Sequence, residues 1–572
     1  MDFYIKLSKR ETKIIRHEYT RNIYTTFRDI GILYIEKLAH LDYQEEIKKQ
    51  ITIRMGDVIR VNGNDSVCDK GLFYTITIDF DYGGIIVCND KMSLLPVFYH
   101  DTTENVTISS SFSLLAKELR NNEMNADFVS DMILFNVPLG KTCFYKEIQR
   151  MPYGCQIEVK SGSILLSNLH RAWQEFQIIP TRYKEAVDCI ADLFVTNGRY
   201  YYNEPTHIAL TGGFDGRTNV SVSHYYDNEC TCYTHGKSTS SDVQIPLMIT
   251  NKLGIEHKFI DLSSEFINEH HLKSVQAYLL YSGGMNGFIY PYIAYEASVL
   301  ARDNKPVITG YCGSELLRNA HFGGAIVAQT VIDLIDKNEE YAFNQFGQNI
   351  DKNRLNREYI KMPLCKERIH EISKYFPDYP EYLSKNQMLA VFELEEIMPK
   401  IFGTHAYVAM HYHRTRLPYM DYEFFRNIVK TEVSQVYRNF MEQRPSKRFW
   451  GQYLYAKIID KTWPELGRLQ SNKGYAPYDL LTIQGKIGII MGYLRKRRRI
   501  SLADYDSLGI VSGLQLHFTT SSKAKCIKDL YGDIDGLNKM EHRRDIISFY
   551  ASALEYDRMI TKREQSNDTA TH

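Results

Sequence analysis

The feature that most constrains this chain is a change of hydrophobic period near residue 180. Before it, runs such as YTITIDFDYGG, GIIVCND, VTISSSF and CQIEVKSGSILL alternate apolar and polar residues and break at turn residues. A period of two puts every second side chain on one sheet face, so residues 1 to about 170 read as β-rich. After the change, RYKEAVDCIADLFVTNGRYY has helical spacing and leads into the short apolar run HIALTGG. CTCYTHG, a helix-like DVQIPLMITNKLG, the strand-like HKFIDL, a long helical stretch and PVITGYCGSE follow. Short apolar runs separated by helices pair as parallel strands, because each crossover returns the chain in the same direction. From about 325 to 470 the pattern is mostly helical, and the polar end TKREQSNDTATH reads as frayed. The expected fold class is α+β, then α/β, with a helical C-terminal part.

Composition narrows the function classes. A chain of 572 residues exceeds one hydrophobic core and suggests roughly two to four domains. Lys plus Arg and Asp plus Glu both total 69, so no net field favours nucleic acid. The ten cysteines are scattered, with only Cys230 and Cys232 close together, a pattern of reduced thiols rather than a disulfide framework. The N-terminus has no apolar core of signal-peptide length, and no window reaches the roughly 18 apolar residues that span a bilayer. The expected location is the cytoplasm.

The stretch 208-IALTGGFDGRTNVSV-222 carries the first chemical hint. Glycines at the carboxyl end of a strand let backbone N–H groups approach an anion, and the following helix adds its positive end. Asp215 suits phosphate carried with Mg²⁺, which prefers carboxylate oxygens and retained waters. The stretch has neither the G-x-x-x-x-G-K-[ST] nor the G-x-G-x-x-G pattern, so it is not a Walker loop or a dinucleotide fingerprint.

TGGFDGR resembles the S-G-G-x-D-S pyrophosphatase loop of the asparagine synthetase family, with Thr211 for the first Ser and Gly216 for the last. Further pieces follow in that family's order. TCYTHGKS is similar to its second nucleotide strand, TGYCGSELL to its G-x-G-x-D-E segment, RLPYMD to R-V-P-F-L-D, and KGYAP to its C-terminal Lys-Gly-Phe segment. The N-terminal half matches as well, with LLPVFYH, SSSFSLLAKEL and LGKTCFYKEIQRMPYGCQIEV resembling pieces of the glutamine-hydrolysing domain. The resemblance implies an N-terminal nucleophile-type antiparallel sandwich over 1–175, a PP-loop ATP pyrophosphatase domain over 176–480, and a C-terminal helical extension over 481–572.

It also implies roles. Leu210, Thr211, Gly212, Gly213, Asp215, Gly216, Arg217, His235, Thr309 and Gly310 would bind ATP, with His235 against the adenine. Asp215 and Glu315 would hold Mg²⁺, Glu315 substituting for a second acid at the position of Ser314. Tyr311 paired with Glu396 would act as base, as a Tyr-Glu dyad does in the similar β-lactam synthetases. Glu393 and Glu395, beside Glu396, read as solvated carboxylates. Lys473 would stabilise the transition state, although the family's Lys slot itself holds Asn472.

One departure bears on the whole reaction. Glutamine-using members carry a nucleophilic Cys after the initiator Met, and here that residue is Asp2. A carboxylate is a weak substitute for a thiolate, so no ammonia is expected from the N-terminal domain, which instead serves as a packing partner. β-Lactam synthetases and lasso-peptide cyclases share that loss. The expected activity is therefore an AMP-forming carbon–nitrogen ligase that adenylates a carboxylate without hydrolysing glutamine. The alternatives are an ammonia-dependent asparagine synthetase-like enzyme and an inactive nucleotide-binding scaffold. Expected partners are a small-molecule or peptide substrate bearing a carboxylate and, as a homodimer, a second copy of the chain. The run 495-RKRRR-499 reads as a solvated face, a membrane-surface helix or a patch for an anionic substrate. Arg414 and Arg416, beside His411 and His413, are candidates to contact pyrophosphate or a substrate carboxylate.

Overall fold

A computed structural model describes residues 2–8, 32–35, 41–46, 50–61, 69–79, 84–119, 123–160, 162–317, 327–352, 360–376, 378–442, 445–496, 510–518 and 541–568. The N-terminal region forms two antiparallel sheets. One orders Ile32–Ile35, Phe3–Ser8, Asn105–Ser109, Phe98–Asp101 and Gln149–Arg150. The other orders Ser163–Asn168, Cys155–Lys160, Gly84–Cys88, Phe73–Asp79, Gln50–Gly56 and Leu41–Glu46. Alternation does what a period of two demands: along Gly84–Cys88 every second residue is buried. The rings of Phe3, from one sheet, and Tyr74, from the other, meet edge to face at 5.1 Å.

The second region is built on a five-stranded parallel sheet in the order Glu256–Asp261, Cys230–Gly236, Thr206–Ala209, Val307–Ile308 and Thr415–Arg416. Ile208 lies opposite Cys232 on one side and Ile308 on the other. Thr206, His207 and Ile208 are fully buried, as a central strand covered on both faces requires. The chain is thus mixed α/β with antiparallel sheets first and a parallel sheet after. The last antiparallel strand ends at Asn168, and the helix Tyr183–Tyr201 leads into the parallel sheet. Ser240 caps the helix Ser241–Leu253 by accepting from Asp242 N–H, and Gly254 ends it with φ +68°.

The helix Glu541–Asp568, expected only as an extension, belongs to the core. Tyr556 is fully buried, meets Phe144 at 5.0 Å and shares a 2.9 Å hydrogen bond with Ser113 of the N-terminal region. Ser552 accepts from Phe288 N–H at 3.0 Å, and Gln276 donates to Glu555 at 2.9 Å. The helix therefore bridges both regions. The side chains of Arg495 and Lys496, residues 497–499 and the side chains of the polar end lie outside the described residues. Among the described residues, no helix is long and apolar enough to cross a membrane.

Candidate functional site

The loop 210–214 leaves the central parallel strand at its carboxyl end and enters the helix Asp215–Tyr225, whose N-cap residue Phe214 provides no side-chain cap. The first-turn N–H groups of that helix therefore have no side-chain acceptor there. Thr234 on the neighbouring strand donates to Leu210 O at 2.6 Å, which pins the start of the loop. Gly216 packs directly on the strand end, where an added Cβ would strike the carbonyl oxygen of Ala209. An added Cβ at Gly310 would lie 2.9 Å from Asp215 Cβ. Two neighbouring strand ends thus converge closely on Asp215.

Ser314 Oγ donates to Asp215 Oδ2 at 2.9 Å, which brings the 309–314 segment to the start of the helix. Thr309 O accepts from Asn219 at 3.1 Å, which ties the 309–314 segment to the helix. Glu315 is half-buried and lies instead beside Glu393 and Cys312, whose pKa values are raised by burial first and then by the Glu315 charge. Among the described residues, Asp215 and Glu315 do not belong to a three-ligand cluster. The group with atoms that close is Glu265, Glu269 and His270.

The segment 469–475 closes over the loop. Asn472 N–H donates to Gly212 O at 3.1 Å, and its amide donates to Asp242 at 3.1 Å. A Cβ at Gly212 would come within 2.7 Å of Asn472 Cβ, so the cover is tight. Lys473 Nζ stands 5.0 Å from the centroid of the Phe214 ring, at the same mouth.

Arg217 is a correction. It is fully buried and donates to the carbonyl oxygens of Leu469 and Gln470, each at 2.6 Å. The helical turn after Gly216 directs it under the loop, so it anchors the covering segment and does not line the mouth. Arg414 and Arg416 are likewise engaged inside the protein. Arg416 pairs with Asp57 at 2.8 Å and Glu204 at 2.6 Å, and Arg414 pairs with Glu204 at 2.7 Å.

Tyr311 and Glu396 are not joined by a hydrogen bond. Glu396 accepts Gly140 N–H at 2.9 Å and pairs with the buried Lys400. The cause is the π-helical turn Glu393–Ile397. Residues three apart share one face of an α-helix, but the wider π turn carries them apart. Glu393 consequently faces Glu315 and Cys312, while Glu396 faces the N-terminal region. Nor are its neighbours solvated: Glu393 is 3% and Glu395 6% exposed. Glu395 binds the Arg171 guanidinium at 2.6 and 2.9 Å, while burial and Glu315 push the Glu393 carboxyl well up. Burial first, and then Glu296, raise the Tyr311 phenol well above its ordinary value, so it is neutral at pH 7.

His235, the last residue but one of its strand, has its ring 4.8 Å from that of Tyr292, tilted by 39°, and pairs with Glu296. Burial lowers its pKa, but the charge and hydrogen bond of Glu296 prevail and raise it. Glu296 was legible as a lone acid inside the apolar helix PYIAYEASVL; Asp242 and Glu393 had no such signal. A cavity of about 570 Å³ lies elsewhere, beside Lys70, Tyr200 and Asp421, and Lys70 there is already bonded to Asp421 at 2.8 Å and Glu423 at 2.9 Å.

Asp2 is buried and bonded across the two regions. It accepts from Tyr407 OH, from Ser110 at 3.3 Å and from His411 Nε2 at 3.1 Å. His411 also donates Nδ1–H to Tyr407 O at 2.9 Å and stacks on Tyr281 at 3.7 Å. Burial alone would raise the Asp2 pKa, but the His411 charge, that hydrogen bond and the Tyr407 hydroxyl hold it well below the carboxylate range.

No known family model matches the chain, and no curated protein matches it.

Proposed function

We propose that the chain is an ATP-dependent ligase that adenylates a substrate carboxylate, releases pyrophosphate and passes the acyl group to an amine, with AMP leaving. The observation that carries this reading is the loop Thr211–Gly216, an uncapped helix start at a parallel strand end with Asp215 and Ser314 at its mouth. In this reading, which follows the resemblance to the asparagine synthetase family, 176–480 is the pyrophosphatase domain and 1–175 a degenerate glutaminase-like sandwich.

Backbone N–H groups of Thr211, Gly212, Gly213 and Gly216 cradle phosphate oxygens. Magnesium carried with the nucleotide would supply neutralisation of phosphate charge. Its holder would be Asp215, with the Ser314 hydroxyl beside it, a fit for an ion that needs few carboxylates and keeps its waters. Lys473, at the mouth beside Phe214, offsets negative charge that develops as pyrophosphate departs. Thr309, Gly310 and His235 border the nucleotide. Tyr311 is a neutral phenol that orients the attacking amine by hydrogen bonding. Most of the acceleration comes from positioning, since the covalent changes occur between the two substrates. Asp2, committed to His411 and Tyr407, offers no thiolate, so the amine comes from the substrate rather than from glutamine.

Asn472 favours a second reading. Its bonds to Gly212 and Asp242 cover the loop where a lysine would serve catalysis, which suits a nucleotide-binding scaffold. Binding of a non-hydrolysable Mg-ATP analogue to the native chain and to Asp215→Ala tests both. Binding lost in the variant, with pyrophosphate release from ATP on addition of a carboxylate, supports the ligase. Binding without turnover across carboxylates supports the scaffold, and no binding by the native chain sinks both. Amidation of aspartate by ammonium would point instead to the ammonia-dependent synthetase.

A further inference from the structure

His405 is the buried polar group that the chemistry above leaves unused. It lies on the helix Phe402–Met410, is 4% exposed, and neither ring nitrogen has a hydrogen-bond partner among the described residues. Buried polar atoms are paired in nearly all native structures, so two unpartnered nitrogens on one ring point to a ligand. The rings around it are aromatic. Tyr290 stands 4.5 Å away, Tyr311 5.7 Å, and Phe402 and Tyr278 6.1 Å each, centroid to centroid. Tyr290, Tyr311 and Phe402 are each half-buried.

The wall continues toward the nucleotide loop. Tyr290 meets Tyr292 at 6.4 Å, and Tyr292 meets His235 at 4.8 Å. It thus runs unbroken from the end of the strand Cys230–Gly236 to Tyr311, next to Gly310, which packs on Asp215. A substrate lying along this wall has one end at Asp215 and the other at His405.

We propose that these rings form the pocket for the acyl substrate, and that it takes a planar hydroxyaryl group whose hydroxyl is bonded by His405. Flat rings complement flat rings by offset or edge contacts. A neutral imidazole has one acceptor and one donor, which suit a hydroxyl that both donates and accepts. Burial lowers the His405 pKa to about 3, so the ring is neutral at pH 7. No charged group acts on it, so a carboxylate or ammonium placed against it would be desolvated without compensation. That argues against aspartate in this pocket. The assignment of the pocket to the acyl substrate rests on the carboxylate-activating reading; its preference for a hydroxyaryl group does not.

The test is calorimetry on the full chain with L-tyrosine, L-phenylalanine and L-aspartate as probes, each with and without the Mg-ATP analogue. L-Tyrosine is expected to bind at least roughly tenfold tighter than L-phenylalanine, because a site built to bond a hydroxyl rejects the analogue lacking it. His405→Phe erases that difference, and His405→Gln, which restores a donor and an acceptor, keeps part of it. Equal binding of the two aromatic probes, tighter binding of L-aspartate, a preference that survives His405→Phe, or no L-tyrosine binding in either condition overturns the proposal. The wild-type comparison of probes stands even if His405→Phe does not fold. Analogue binding without an aryl preference removes the pocket and leaves the ligase reading intact; an aryl preference without analogue binding does the reverse.

Discussion

Replacing Asp2 by Asn removes one charge from an ion pair that ties the two regions of the molecule together. The asparagine side chain keeps an oxygen for the Tyr407 hydroxyl but leaves His411, whose side chain is 3% exposed, without its counter-charge. Breaking a buried pair by removing one partner costs about 3–5 kcal/mol. At roughly 2–4 °C per kcal/mol for a cooperative unit of 150–250 residues, Tm falls by about 6–20 °C. Because the folded-state pKa of Asp2 is depressed, its contribution is present above the ordinary value of 3.8 and is lost as pH falls through the folded value. Urea unfolding and thermal scans of both proteins at pH 7, 5 and 3 read this directly. The gap between them should be full at pH 7 and pH 5 and begin to narrow at pH 3. The double variant Asp2→Asn/His411→Gln, which buries no lone charge, should recover more than half of the loss. A single variant as stable as the native chain at pH 7, or a gap that widens toward acid, refutes the reasoning.

Arg217→Lys keeps the charge but cannot reach two carbonyls from one planar fork, so it should lower stability by about 1–3 kcal/mol and loosen the 469–475 cover, seen as faster amide exchange at Asn472. A pure drop in nucleotide affinity at unchanged stability would place Arg217 back at the phosphates. Glu393→Gln mimics a protonated carboxyl and should change stability by less than about 1 kcal/mol, whereas Glu396→Gln strands the buried Lys400 and should cost about 3–5 kcal/mol; urea midpoints decide, and the opposite order contradicts the assignment of the two faces. Glu296 raises the His235 pKa, so that pair stabilises fully below the imidazole's ordinary 6.5 and its contribution is lost as pH rises through the raised value. Glu296→Gln should therefore shift the NMR titration of His235 to lower pH, and an unmoved titration would show that the pair is not formed.

Much of the architecture was legible in period and punctuation. The strand pattern in YTITID, GIIVC and CQIEVK and the helix pattern from Tyr183 to Tyr201 match observed elements within a few residues. The edge strand Thr415–Arg416 was not, since two residues carry no periodicity and only pairing with Val307–Ile308 makes them a strand. The helix Glu541–Asp568 reads as polar, yet Tyr556 and Ser552 bury one face of it against both regions. At the site, the glycines at 212, 216 and 310 announced close approach, whereas the destinations of Arg217, Arg416 and Glu396 did not follow from their spacing.

The sequence by itself determined the order of sheets, the strand-to-helix turn at Thr211–Gly216 and a carboxylate rather than a thiol at position 2, because these depend on local period, local backbone freedom and residue identity. Only the tertiary structure decided which charges are spent on internal pairing, that Glu393 rather than Glu396 faces Glu315, and that Asp2 is locked to His411. Those outcomes depend on which distant groups share a low-dielectric interior, where an unpaired charge is costly and each buried side chain takes whatever partner the fold brings within reach.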